Sequence, residues 1–314
     1  MLIGIWNHVT SMTEDASDSD EAMGHEEHRS ILQTIKAMLG IGYKPPADRI
    51  VYSHQQGIVE SHALMEPYGD IPRIIHQSWK TKELPPKFQQ WRQTWIDKHE
   101  GWELKLWTDE DNLEMVKSDF EWFLPAYERL PSNIQRADAA RLMYMHKYGG
   151  FYADLDVECL QSHEALRKLG TALLPLMDSR QYFHWHNIPN AWMASPPGHP
   201  FWMHMLHAIG RLTHSTSNLF SPEATTGPKM LLKTAKQYDA SANSSAYLLY
   251  MAPGLIFPYS WIDWTFYKTC STESKAFNAE ACKQQVDPEQ LAFAVTYWSH
   301  TWEGYDKSSQ LGLD

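Results

Sequence analysis

Tyr148-Gly149-Gly150-Phe151-Tyr152-Ala153-Asp154-Leu155-Asp156 is the stretch that decides how this chain folds. Two adjacent glycines end a preceding helix, because glycine enters the left-handed conformation at little steric cost. After them Phe151, Ala153, Leu155 and Val157 alternate with Tyr152, Asp154, Asp156 and Glu158, which is the two-residue period of a strand. Before them, Ser132 or Asn133 can cap a helix that runs to about Tyr148. Ile134, Asp138, Arg141, Met145 and Tyr148 recur along it at three- and four-residue steps, on one stripe. A carboxylate and a guanidinium therefore stand side by side on a mostly apolar face. An ordinary intrahelical ion pair contributes only about 0.2–0.5 kcal/mol, so the pair alone signals little.

The same grammar holds upstream. Ile71 to Trp79 (IPRIIHQSW) reads as a β-branched, apolar strand that opens into a loop at Gln77 to Lys82. Pro85 and Pro86 start a helical stretch, Lys87 to His99, with Phe88, Trp91 and Trp95 at helical spacing. Glu103 to Trp107 is a second short strand, and Thr108 is a good cap for the helix after it. Strand, helix, strand, helix in succession predicts an α/β domain with a mainly parallel sheet. Ahead of it, residues 1–69 form an acidic, partly disordered N-terminal extension by composition, with residues 70–314 as the folded domain. Residues 1–28 hold seven acidic side chains and no Lys or Arg. Ile31 to Leu39 fits a short amphipathic helix.

On a strand, Asp154 and Asp156 project to the same side. Two carboxylates so close raise each other's pKa unless a cation sits between them. Hard oxygen ligands at a strand end suit Mg²⁺ or Mn²⁺ shared with a diphosphate. In open α/β sheets, ligands bind beyond the carboxyl ends of the strands, where this pair lies. A bare Asp-x-Asp is weak by itself, and the chain has two more. Asp18-Ser-Asp20 belongs to the acidic run, and Asp109-Glu-Asp111 reads as compensation of a helix dipole. The helix, the Gly-Gly turn and the alternating segment are what set Asp154-Leu-Asp156 apart.

Composition narrows the classes. The net charge is −11, which argues against nucleic acid as a partner, since phosphates need a basic face. An acidic protein that binds an anionic nucleotide needs a metal ion or a few placed arginines. The 14 Trp and 15 Tyr suit a cleft that stacks on bases and sugars as well as a thick aromatic core. Of the three cysteines, Cys159 follows a buried segment as an inert thiol, while Cys270 and Cys282 enclose a polar loop and can pair in an oxidising lumen. Asn243-Ser244-Ser245 is a lone sequon. No apolar run is long enough to span a bilayer and no clear signal peptide opens the chain, so membrane association is expected to be peripheral at most.

Taken together, IPRIIHQSWK at 71–80, LWTD at 106–109, RADAARL at 136–142 and YGGFYADLD at 148–156 resemble the Asp-x-Asp sugar transferases of glycosyltransferase family 32. That family includes fungal α-1,6-mannosyltransferases and inositol phosphoceramide mannosyltransferases. The likeness covers roughly residues 70–303 and is most specific over 136–156. It implies a GT-A-type nucleotide-sugar-binding fold, Mn²⁺ (or Mg²⁺) as cofactor, and retention at the anomeric carbon. By the same resemblance Trp79 stacks on the base, and Asp138 and Arg141 hold the nucleotide-sugar. Tyr152 lines the donor pocket, Asp154 touches ribose or bridges to the metal, and Asp156 binds the metal. Asn190 meets sugar or acceptor, and Thr226-Gly227-Pro228 lies near the acceptor cleft. His300, in a motif where Thr296 and Tyr297 stand at the family's paired histidines, is the candidate third metal ligand. The implied donor is GDP-mannose or a UDP-hexose, and the acceptor a glycan or glycolipid. The implied location is the Golgi or another secretory lumen; the missing anchor leaves the cytoplasm open.

Two other readings compete. Asp-Leu-Asp-Val-Glu resembles the nucleophile strand of haloacid-dehalogenase phosphatases, but Glu158 stands where that motif needs Thr or Val, and no paired aspartates follow. A catalytically inactive sugar-binding protein of the same fold is the second, and the intact Asp154/Asp156 pair argues against it. His184 with His186, and His204 with His207, invite a zinc reading that no third ligand supports.

Overall fold

Alternating apolar side chains along short strands build this fold, because each strand feeds two different cores. The computed structural model describes residues 49–54, 57–59, 67–177, 187–216, 219–241, 246–261 and 263–299. The helix expected at 31–39, most of the acidic extension, Asn243, His184, His186 and His300 lie outside the described residues. Ten strands are present among them: β1 (Ile50–His54), β2 (Gly57–Val59), β3 (Ile74–Ser78), β4 (Glu103–Trp107), β5 (Gly150–Ala153), β6 (Val157–Cys159), β7 (Ala172–Pro175), β8 (Trp192–Ser195), β9 (Leu248–Met251) and β10 (Ala294–Thr296). Eight of these form one sheet in the order β2-β1-β9-β7-β8-β5-β3-β4, and β10 and β6 form a small antiparallel pair.

The pairs β3–β4, β3–β5, β7–β9 and β1–β9 are parallel, as expected of an α/β domain. β8 lies antiparallel between β5 and β7, and β2 antiparallel to β1. The sheet also reaches back across the boundary expected at residue 70, since β1 pairs with β9. Tyr152, Leu174, Met193 and Tyr250 join a core formed with the helices Asn133–Lys147, Pro200–Ser215 and Pro228–Ser241. Their neighbours Phe151, Ala153, Leu173, Ala194 and Met251 face the other way, toward Trp95 of the helix Pro86–Lys98. A third cluster, with Phe88, Trp91, Leu155 and Tyr297, closes the edge where Cys270 and Cys282 are disulfide-bonded.

The caps follow the residues read from sequence. The Thr108 hydroxyl accepts the Asp111 amide at 3.1 Å, and the Asp111 carboxylate accepts the Thr108 amide at 2.8 Å. Ser132 donates its backbone N–H to the Gln135 side chain at 3.2 Å. The helix Asn133–Lys147 stops at Gly149 (φ +63°) and Gly150 (φ +91°). There the chain must turn at once into β5, against β3.

One expectation is corrected. Asp154 and Asp156 do not alternate on a continuous strand, because β5 ends at Ala153. The Asp154 amide makes a last bond to the Ala191 carbonyl at 2.8 Å, and the Val157 amide then closes a turn on the Asp154 carbonyl at 3.1 Å. With β8 beginning opposite Ala153, the chain leaves the sheet to pair with β10 instead. A turn, and not the pleat, brings the two carboxylates together.

A Cβ on Gly150 would stand 2.4 Å from the Ile74 carbonyl oxygen, at a φ that L-residues avoid. Gly150→Ala is therefore expected to lower the unfolding free energy by about 2–4 kcal/mol, read from urea denaturation; an unchanged midpoint contradicts this account of the turn.

Candidate active site

Arg141 is buried, and a guanidinium out of water needs partners on every side. Its helix supplies Asp138 one turn earlier, with Nη2 to Oδ1 at 3.2 Å. The end of β5 supplies Asp154, with Nη1 to Oδ1 at 3.3 Å, and the loop before β8 supplies the Asn190 carbonyl at 2.8 Å. The Tyr152 ring lies 4.5 Å from the guanidinium carbon, a cation–π contact. The Arg141 Nε–H is buried with no hydrogen-bond acceptor among the described residues.

Asp138 is equally bound. Asn190 donates to Oδ1 at 2.9 Å and Thr226 donates to Oδ2 at 2.9 Å. Burial raises the Asp138 carboxyl above its ordinary range, while Arg141, Thr226 and Asn190 pull it back. For Arg141 burial works against the charged form, yet the Asp154, Tyr152 and Asp138 side chains together hold it more firmly protonated than usual. The Asp154 carboxyl is pushed up to about 6, by burial first; Arg141 opposes the rise and the charge of Asp156 adds to it. Tyr152 donates its hydroxyl to Asp154 Oδ1 at 2.6 Å. Asp156 Oδ2 accepts both the backbone N–H and the hydroxyl of Ser299, at 3.0 and 2.9 Å.

Asp138, Arg141, Asp154, Asp156, Asn190 and Ser299 line a cleft of about 640 Å³ at the carboxyl ends of β3, β4 and β5, together with Trp79, Asp109, Gly227, Trp261 and Trp298. Of the residues singled out in the sequence, Trp79, Asp138, Arg141, Asp154, Asp156 and Asn190 share this cleft, and Gly227 and Pro228 border it. Tyr152 is a correction. It does not line the cleft, because its ring is fully buried behind Asp154, where it positions the carboxylate. Ser299 was missed: it lies 143 residues from Asp156, and only its place beside His300 in the same motif hinted at the site. The zinc reading at His204 and His207 gains nothing, since both sit on the helix Pro200–Ser215, away from the cleft.

The donor set at Asp154 and Asp156 suits a hard divalent cation. It is all oxygen, it opens to the cleft, and it carries a mutual repulsion that a cation removes. A second group, His99, Cys159 and His163, brings its potential ligand atoms within 4.8 Å of one another in the core. There each ring nitrogen already has a partner. His99 Nδ1 donates to the Trp95 carbonyl, and its Nε2 accepts the His163 amide at 2.9 Å. His163 Nδ1 donates to the Gln161 carbonyl, and its Nε2 accepts the Trp192 indole N–H at 3.2 Å. This group is a hydrogen-bonded core network with no free ring lone pair.

Residues 85–172 match the family described as glycosyltransferase sugar-binding region containing DXD motif. The matched stretch holds Asp138, Arg141, Asp154 and Asp156. Inositol phosphoceramide mannosyltransferase 3 of Schizosaccharomyces pombe is 36% identical over 197 residues, which cover 61% of this chain and 51% of that protein. Inositol phosphoceramide mannosyltransferase 1 of the same yeast is 34% identical over 147 residues, 46% of this chain and 44% of that protein. The chain thus spans about half the length of the relatives it matches. Among solved structures, one described as PaToxG Glycosyltransferase is similar with a TM-score of 0.44 at 17% identity, covering 55% of this chain and 71% of that one. A likeness of that size carries no argument; the α/β fold with a mostly parallel central sheet stands on the strand pairings.

The raised Asp154 carboxyl has a consequence for stability. A group whose folded pKa lies above its ordinary 3.8 binds its proton more tightly in the folded state, so its contribution is full below about pH 4 and is lost as pH rises through about 6. Asp154→Asn is accordingly expected to melt at a higher temperature than wild type at pH 7, with the gap closing at pH 4. Differential scanning calorimetry at the two pH values checks it, and a lower melting temperature at pH 7 rejects it.

Proposed function

We propose that this chain is a metal-dependent, retaining glycosyltransferase of the GT-A type that moves a hexose, mannose first, from a nucleotide-sugar to a glycan or glycolipid acceptor. The observation that carries the reading is the buried Arg141 bound to Asp138, Asp154 and Asn190 at the floor of a cleft that Asp156 and Trp79 also line. A phosphatase that forms an aspartyl-phosphate needs a carboxylate free to attack, and Asp154 is instead held by Arg141 and Tyr152. The mannosyltransferase names of the yeast relatives favour mannose as the sugar.

In this reading Trp79, half-buried at the end of β3 with its edge against Phe88, takes the base by stacking. Asp138 and Asn190 accept and donate hydrogen bonds to the sugar hydroxyls, locked in place by Thr226 and Arg141. Asp154 and Asp156 hold Mn²⁺ or Mg²⁺, with His300 as a third ligand. The cation supplies charge stabilisation for the departing diphosphate. Tyr152 and Ser299 set the two carboxylates from behind, so that little rearrangement accompanies binding. Positioning and electrostatics then do most of the catalysis, and no side chain needs to act as the sole base. The Cys270–Cys282 bond fits an oxidising compartment, and we place the protein in the Golgi or another secretory lumen. No helix among the described residues is long and apolar enough to cross a membrane.

Thermal shift with Mn²⁺ and either GDP or UDP tests the reading: one pair is expected to raise the melting temperature, and no response to either sinks it. Asp156→Asn is expected to abolish sugar transfer with the melting temperature unchanged or raised, because a carboxylate repulsion disappears while the Ser299 bonds keep an acceptor. Retained transfer in that variant removes Asp156 from the metal site.

A further inference from the structure

Asp109 lines the cleft as well, and this chemistry gives it no task. β3 and β4 run parallel with Ser78 opposite Trp107, and the Trp79 amide donates to the Trp107 carbonyl at 2.9 Å. Trp79 and Lys80 therefore leave one strand where Thr108 and Asp109 leave its neighbour, on strands roughly 4.8 Å apart. The stacking indole and the carboxylate stand at the same sheet end. Asp109 Oδ2 accepts a hydrogen bond from Asn133 Nδ2 at 3.2 Å, and Asn133 Oδ1 accepts one from Arg136 Nη1 at 2.9 Å. That chain fixes the Asn133 amide and, through it, the carboxylate plane. Oδ1 of Asp109 accepts no hydrogen bond among the described residues.

We propose that Asp109 selects the base of the donor, accepting hydrogen bonds from an edge that offers two adjacent N–H donors, as guanine does, and disfavouring uracil. The proposal rests on the nucleotide-sugar reading and deepens it. An ionised carboxylate only accepts hydrogen bonds. The guanine N1–H and 2-amino group present two donors side by side, which suits a charge-assisted, two-point contact. Uracil offers one N–H between two carbonyl oxygens, so a carboxylate facing it loses a partner and meets a like dipole. A site whose buried polar groups are left unpaired by the wrong ligand discriminates strongly against it. Burial raises the Asp109 carboxyl, with Arg136 and Lys80 opposing, which is consistent with a partly dehydrated acceptor.

Isothermal titration of the full chain with GDP, IDP and UDP, all with Mn²⁺, tests this in wild type, Asp109→Asn and Asp109→Ala. Wild type is expected to bind GDP at least tenfold more tightly than UDP, and IDP, which lacks the 2-amino group, several-fold more weakly than GDP. Asp109→Asn is expected to weaken GDP about tenfold and to gain UDP, since its carbonyl and amino groups match the uracil edge. Asp109→Ala is expected to weaken GDP without gaining UDP. Equal binding of GDP and IDP by wild type, a wild-type preference for UDP, or an unchanged GDP-to-UDP ratio in both variants overturns the role of Asp109. Strong UDP binding with any of these leaves the nucleotide-sugar reading standing, whereas no binding of any nucleotide removes both.

Discussion

A single buried guanidinium constrains the centre of this molecule. Arg141 has been taken out of water, and the cost of that is recovered only if every neighbour is placed to receive it. The neighbours come from a helix (Asp138), a strand end (Asp154) and a loop (the Asn190 carbonyl). Asp138 draws in a fourth segment through Thr226. Elements far apart in the chain are thereby fixed relative to one another at one point. Removing the guanidinium leaves the buried Asp138 carboxylate facing a low-dielectric interior, which is more damaging than never having built the network. Three of these groups also face the cleft, so the contacts that hold the fold and those that shape the site are the same contacts.

The glycine pair makes that convergence possible. The helix bearing Asp138 and Arg141 and the strand that leads to Asp154 are joined by Gly149 and Gly150 with no intervening loop. Both residues have positive φ, and Gly150 packs where the Ile74 carbonyl leaves no room for a side chain. A longer connection would let helix and strand slide past each other. The tight one sets the register between Arg141 on the helix and Tyr152 and Asp154 on the strand side. Tyr152 completes it from behind, with its ring against the guanidinium and its hydroxyl on the carboxylate.

Much of this was legible in the sequence, because it is local. The strand at 103–107, the helix of the Asp138 stripe, its caps and its glycine stop all follow from periodicity and from single residues with fixed backbone preferences. Placing Trp79, Asp138, Arg141, Asp154, Asp156 and Asn190 around one cleft was within reach of motif order. What escaped depends on pairing at long range. Alternation cannot tell that the strand ends at Ala153, since that is decided by where β8 begins to pair. It cannot tell that Tyr152 faces the guanidinium inside the protein, because both faces of this sheet are buried. Ser299 meets Asp156 across 143 residues, and nothing near either residue marks the other. Asp109 was read as a helix-start charge; Asp111 does the capping, and Asp109 is left to the cleft.

Charge balance carries the argument one step further. Asp109, Asp138, Asp154, Asp156 and Glu223 bring five carboxylates to this cleft against Lys80 and Arg141, and the guanidinium is already shared by two of them. A diphosphate entering such a place meets net negative charge, in a protein whose overall charge is −11. The upward push on the Asp154 carboxyl, to which Asp156 contributes, is the same imbalance seen from inside. Arg141 cannot relieve it by turning outward, since its bonds to Asp138 and Asn190 keep it in the floor of the cleft. Under the proposed function a divalent cation is therefore required for the donor to bind at all, before any part it plays in transfer. The arginine holds the site together, and the charge that receives the diphosphate has to be brought in from solution.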